Sequence, residues 1–385
     1  MTPIAAAANE NLANISNVLI YSAMAVYTLA FLAHIAEWVL GSRSAVGRTA
    51  AALTTEREAA AAGGGQAAER QGGGTAVLER PKVVTRSAAG GRDVPDGPGA
   101  AGTSEKGDVY GRIAVSLTVL AFLLHASSVI TRALSVERAP WGNMYEFSTT
   151  FGVTVVAVYL GLLVAKKNVR WLGLPLTTTI LLDLGLALSV LYTDSDQLVP
   201  ALHSYWLWIH VSCAIISGAA LWVGACSTLL YLFRDGYEAR LVSGRTGAGL
   251  DRYLAELPPE RKYARFKAKL ARTTDNPISR LPAAANLDKL AYRVNATVFP
   301  LWTFTIVAGA IWAEAAWGRY WGWDPKEVWS FITWVAYACY LHARATAGWK
   351  GRKAAYIALA AFACYLFNYY GVNIFVTGKH SYAGV

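Results

Sequence analysis

The sequence predicts an all-α polytopic integral membrane protein: a bundle of about eight transmembrane helices with both termini outside. Three observations carry this. The chain of 385 residues is 55% hydrophobic, with 14 Trp and 20 Tyr and a mean hydropathy of +0.32. Its apolar residues fall in unbroken runs near the ~20 residues that cross ~30 Å of hydrocarbon. Lysine and arginine collect in alternate connections between those runs, as short cytoplasmic loops require.

Taken in order, the first run lies at about 15 to 40. It begins without a basic leader and holds His34 and Glu37, with no small-residue cleavage site after it, so residues 1–40 read as a retained N-terminal transmembrane helix. Residues 41–108 are rich in Ala, Gly and mixed charge ("AAAAGGGQAAERQGGGT") and lack apolar periodicity. They read as a disordered cytoplasmic linker. The other runs, at about 113 to 134, 147 to 165, 171 to 192, 205 to 233, 298 to 317, 328 to 344 and 354 to 376, make residues 109–385 the main membrane domain. The 166–170 connection is "KKNVR", residues 234–294 carry thirteen Lys/Arg against seven Asp/Glu, and 345–353 adds Lys350, Arg352 and Lys353. The 193–204 loop has neither Lys nor Arg. The basic connections are therefore expected in the cytoplasm, and alternation places the 317–327 loop outside. Within 234–294, "RYLAELPPERKYARFKAKLARTT" suits an amphipathic helix at the inner interface as well as a solvated charged loop. The net charge of +10 reads as a topology signal and an attraction to anionic headgroups of the lipid bilayer. Nucleic acid is excluded as a partner, since its binding needs clustered bases on a soluble fold.

The four cysteines all fall inside predicted spans and form no C-x-x-C pair, so they read as inert packing residues, and no C-x-x-C-H motif attaches haem to this chain. The histidines are more informative. His210 lies about one and a half turns into the fifth span, and His380 follows the last span on the same predicted face. His342 lies seventeen residues beyond Pro325, or ~25 Å deeper at ~1.5 Å per residue. A lone intramembrane histidine is ordinarily an interhelical hydrogen-bonder. Two histidines converging on one aromatic platform suit a haem, which takes imidazole nitrogens on its iron and π faces against its macrocycle. The platform is the stretch "WGRYWGWDPKEVW". Trp317, Tyr320, Trp321 and Trp323 crowd one loop, and Trp329 follows on the helix. Tryptophans scattered around a perimeter form an interfacial belt; four aromatics within seven residues read instead as a ligand surface. Asp324, Pro325 and Glu327 stand as N-cap, N1 proline and N3 carboxylate, so a capping box starts the seventh span at the loop.

"WGRYWGWDPKEVWSFITW" resembles the tryptophan-rich WWD signature of haem-handling proteins in cytochrome c maturation. The wider pattern resembles the CcsA/ResC family of System II cytochrome c synthases: "APWGNMYEF", "SYWLWIHV", "YRVNATVFPLWTFTIVAGAIWA", "YLHAR" and "GVNIF…GKHSY". The resemblance runs from about residue 110 to the C-terminus, and the first span and the linker lie outside it. It departs at "AEAAWG", which puts the carboxylate at Glu314. The resemblance implies a bacterial cell-membrane protein that binds haem b, with His210 and His380 as external iron ligands over the WWD loop. It further implies that His342 is the intramembrane histidine of haem entry. The implied partners are a ResB-type membrane subunit and an apocytochrome c, and the implied activity is a share in a holocytochrome c synthase. Two rivals come from other classes. A haem transporter would release its cargo without covalent chemistry, and a b-type redox subunit would need facing histidine pairs inside the bilayer. His203, His34 and His125 match no ligand, and Asp183, mid-span in "TILLDLGLAL", suits either a relay or a packed, hydrogen-bonded carboxylate.

Overall fold

The computed structural model describes residues 9–43, 96–102, 104–196, 204–243, 254–256, 258, 277–346 and 348–380. Among them the regular structure is helical: α1 (Glu10–Arg43), α2 (Glu105–Ser135), α3 (Met144–Val164), α4 (Gly173–Ser189), α5 (Tyr205–Val242), α6 (Ala284–Trp317), α7 (Pro325–Ala345) and α8 (Arg352–Leu366). A π turn, Phe367–Gly371, links α8 to the short α9, Val372–Phe375. Every expected span is present as a helix. Seven of them, α1 to α6 and the α8–α9 unit, are long and apolar enough to cross a membrane. The eighth, α7, has the length at 21 residues, but Glu327, His342 and Arg344 make it more polar.

Side chains on the preceding residue start several of these helices. Ser104, Asn143 and Ser204 accept backbone N–H groups of α2, α3 and α5, satisfying donors that have no intrahelical partner. Small residues then let α1 and α2 approach closely: Ala23, Ala30, Ala114 and Ala121 are buried, and Ser16 and Ser128 exchange hydrogen bonds to each other's carbonyls at 2.8 Å. The outward faces carry large apolar side chains such as Val18, Leu123 and Leu182, all more than half exposed, which suits lipid and not water.

Ion pairs tie the helices together at one end, some of them partly exposed. Arg170 bonds Glu37 at 2.6 Å and Asp108 at 2.8 Å; Arg344 bonds Asp288 at 2.6 Å; Arg352 bonds Asp235 at 2.7 Å. These pairs gather the basic connections at one end of the bundle. The last part of the predicted linker, residues 96–102, is packed at that same end against a 3₁₀ turn, Pro277–Arg280. Gly97 donates to the Leu281 carbonyl, Asp96 accepts from Ala283, and Arg280 donates to the Ala100 carbonyl. A Cβ at Gly97 would stand 2.3 Å from the Ser279 oxygen, so this contact requires glycine. The rest of the linker, and most of the amphipathic stretch expected before the 3₁₀ turn, lie outside the described residues.

Candidate functional site

The site forms at the other end, where α6 stops and α7 starts. Gly318 ends α6 in the left-handed region, at φ 69°, the conformation glycine adopts without a Cβ penalty. The loop then winds around one carboxylate: Glu327 accepts from Gly322 N at 2.8 Å, Asp324 N at 3.0 Å and Arg319 Nη1 at 3.2 Å. The capping box of Asp324 and Glu327 forms, with Pro325 in the first turn. Asp324 also reaches the C-terminal segment, accepting from Lys379 N and from His380 Nδ1, each at 2.7 Å. Burial raises the carboxyl's pKa, but the hydrogen bonds from His380 and the Lys379 backbone outweigh that and hold it down at about 2. Asp324 is therefore an anion that fixes His380.

His210 comes from α5 and crosses to α6, where its Nδ1 lies 2.9 Å from the Thr305 carbonyl. A carbonyl only accepts, so Nδ1 carries the proton and the neutral ring keeps its lone pair on Nε2. Against the ionised Asp324, His380 Nδ1 likewise carries a proton. Gly309 makes the His210 contact possible, because a Cβ there would stand 2.7 Å from His210 Cε1. Gly309→Ala is expected to push the ring off Thr305 and to lower stability by about 1–3 kcal/mol through overpacking, which the thermal unfolding midpoint of the purified variant checks.

Between the two histidines stands Trp312, which is 2% exposed. It stacks on His210 at 6.1 Å with a 10° interplanar angle and meets His380 edge-on at 5.7 Å. His210, His380, Tyr320 and Trp321 border one cavity, whose empty space, mouth included, is about 1190 Å³. Trp141, Phe147, Trp312, Tyr365 and Tyr369 supply its aromatic walls, while Asn143, Lys326, Glu327, Asn368 and Asn373 supply polar edges.

Other expected site residues stand back from the cavity. Trp317 packs edge-on against His380 at 4.8 Å and against Trp312 at 4.9 Å, bracing the ring. Trp323 is 69% exposed, holds φ 59° and meets Trp321 edge-on at 5.9 Å. Trp329 packs on Phe367 at 4.2 Å. His342 is exposed near the far end of α7, in line with exposed Phe331, Val335 and Cys339. His34 and His125 are fully buried; the first contacts Glu37 and the second lies 3.4 Å from the Tyr27 hydroxyl. Asp183 is buried and accepts from Tyr370. His203 lies outside the described residues. Trp312, Lys326 and Asn368 are cavity residues that the sequence did not single out. Trp312 lies five residues before Trp317 inside an apolar run, at the end of the family-like stretch "YRVNATVFPLWTFTIVAGAIWA".

Fold and site together define the class: a multi-pass helical membrane protein with an aromatic cavity, bordered by two histidines, at one end of its bundle. The model of the cytochrome c assembly protein family matches residues 114–380. The cytochrome c biogenesis protein CcsA of Synechocystis sp. (strain ATCC 27184 / PCC 6803 / Kazusa) is 35% identical, covering 71% of this chain and 86% of the relative. CcsA of Picosynechococcus sp. (strain ATCC 27264 / PCC 7002 / PR-6) is 36% identical, covering 76% and 91%, and that of Microcystis aeruginosa (strain NIES-843 / IAM M-2473) is 37% identical, covering 70% and 85%. The chain belongs to the cytochrome c assembly protein family. It acts in cytochrome c biogenesis, and its family membership implies haem handling in a membrane.

Proposed function

We propose that this chain holds a b-type haem in the cavity between His210 and His380, at the outer membrane face, and presents it to C-x-x-C-H apocytochromes for covalent attachment. One observation carries the reading. Two imidazoles whose Nδ1 protons are committed to fixed oxygens border a single apolar, tryptophan-walled cavity. That tautomer puts the lone pair on Nε2, the nitrogen an iron would take. A b-type haem suits the chemistry because its vinyl groups are what the thiols consume. Each cysteine S–H adds across a vinyl double bond, sulfur to the carbon next to the ring and hydrogen to the terminal carbon, so no atom leaves and no net electron moves. The apocytochrome's own histidine replaces one axial ligand. The chain's share is orientation, since near-attack geometry can account for about 7–11 kcal/mol of a barrier.

His342 belongs to a separate step in this reading. Its exposed ring near the basic end of the bundle suits haem entry from the cytoplasm, with a second ligand from a ResB-type subunit docked on that face. The grouping of basic connections at the His342 end supports the proposed orientation.

The test is reconstitution. Purified chain, with and without a ResB-type subunit, is incubated with reduced haem and a C-x-x-C-H peptide; a haem-bearing peptide that survives acid-acetone extraction is expected. Haem bound and released with no thioether formed under either condition would favour the transporter reading. Tags at residues 70 and 260 should be protected from outside, and a cysteine placed in the 317–327 loop should be labelled from outside; the reverse pattern overturns the direction of delivery.

A further inference from the structure

One cation at the cavity wall stands outside the ion pairs that its neighbours make. Glu327 spends its carboxylate on Arg319 and two backbone N–H groups, and Asp324 spends its own on His380 and the Lys379 backbone. Lys326 stands between them in sequence and borders the cavity, yet forms no ion pair among the described residues. Its Nζ makes one hydrogen bond, 2.8 Å to the Asn368 carbonyl, and lies 5.9 Å from the Tyr369 ring centroid. Two of its three N–H bonds have no acceptor among the described residues. Asp324, two residues before it, is an anion whose charge acts on it through space.

Beside it, Asn368 is 5% exposed and borders the same cavity. Its side-chain Oδ1 is buried without a hydrogen-bond partner among the described residues. That oxygen only accepts and suits a water or a guest hydroxyl, whereas the NH₂ of the same amide is the group that can donate to a carboxylate. The π turn Phe367–Gly371 explains the placement: its extra residue turns the Asn368 carbonyl out toward Lys326, and such insertions concentrate at functional sites.

We propose that Lys326 and Asn368 form a carboxylate-binding corner that takes a haem propionate. This rests on the haem reading above and adds a direction to it. Both propionates leave one edge of the macrocycle, and the vinyl groups lie on the opposite half. Fixing a propionate at Lys326 therefore turns the vinyl half away from the α7 and π-turn wall, and removes the freedom of the haem to spin about the axis through its axial ligands. Lys326 and Asn368 are positioning residues in this scheme: they touch the haem at its carboxylate and leave the reacting carbons to the incoming thiols.

The competing account makes Lys326 a structural clasp between α7 and the π turn. It predicts a loss that ignores the ligand's carboxylates, and esterified haem separates the two. Haemin and haemin dimethyl ester are titrated into the full chain in detergent, followed by the Soret band, for wild type, Lys326→Met, Lys326→Arg and Asn368→Leu. Wild type is expected to bind haemin about tenfold more tightly than the diester. Lys326→Met should erase that preference by weakening haemin alone, Lys326→Arg should retain most of it, and Asn368→Leu should reduce it. Equal wild-type affinity for both ligands overturns the proposal, as does a Lys326→Met variant that weakens both equally. If Lys326→Met fails to fold, the wild-type comparison decides alone. Failure of wild type to bind either ligand would instead remove the haem reading itself.

Discussion

On the haem reading proposed above, His210→Ala and His380→Ala are each expected to empty the cavity of six-coordinate haem while leaving the chain inserted. Each would remove an axial nitrogen together with the ring's contact to Trp312. Their side effects differ in a way the geometry sets. His210 donates to Thr305 O, a carbonyl within α6 that also faces the N–H of Gly309 one turn on, so its loss leaves no stranded group. His380 donates to Asp324, a carboxylate only 8% exposed. Its loss strips a buried anion of a partner, at a cost of about 1–3 kcal/mol. Haem retention should therefore fall in both variants by about two orders of magnitude or more, since losing a ligand exceeds the 10–100-fold typical of losing its supporting partner. Thermal stability should fall measurably only in His380→Ala. Added imidazole should restore part of the low-spin spectrum, because a free ring can occupy the vacated position. The pyridine haemochrome assay on purified protein gives occupancy, and wild-type occupancy with an unchanged spectrum in both variants would sink the axial assignment.

Hydropathy made the spans legible because lipid selects for apolar side chains residue by residue. The ends were less legible, since a hydropathy window is blind to pairing. The fifth span was expected to end at 233, yet α5 runs 38 residues to Val242, continuing through Arg234 and Glu238, which bond each other at 3.0 Å. The sixth was expected from 298, yet α6 starts at Ala284, carrying Asp288 to its partner Arg344. At the site, the loop residues were readable as a cluster because they are close in sequence. Tyr320 and Trp321 do border the cavity, and the Asp324 cap forms as expected. Which aromatics face inward was not readable: Trp323 points out, Trp329 packs on Phe367, and Trp312, hidden in an apolar run, stands between the histidines. Lys326 carries no signal of its own in the sequence, since only the fold reveals that it borders the cavity.

Asp324 joins two tasks that a pair of substitutions can separate. It caps α7, and it holds His380 through the Nδ1 proton. Asparagine is as good an N-cap as aspartate, so Asp324→Asn should keep the cap's share of the stability and lose only what the tail contacts add. It cannot keep both tail contacts, because one carboxylate oxygen becomes an NH₂ that faces a donor, either Lys379 N or His380 Nδ1. Haem affinity should therefore fall about tenfold, within the range for a supporting carboxylate, and the axial imidazole should become a weaker electron donor. Asp324→Ala should show the same loss of haem and also lose about 0.5–2 kcal/mol of stability as the cap goes. Acid offers an independent check on the sign. The carboxyl's pKa in the fold, about 2, lies below its ordinary value of 3.8, so its stabilisation is complete above about pH 4 and is lost only as pH falls toward 2. Haem loss between pH 8 and 5 in wild type must then come from other groups. Haem occupancy and unfolding midpoint, measured on both variants, decide the matter. If Asp324→Asn kept full affinity while Asp324→Ala lost only stability, the carboxylate would be a helix cap and nothing more, and the rigid placement of His380 would have to come from Trp312 and Trp317 alone.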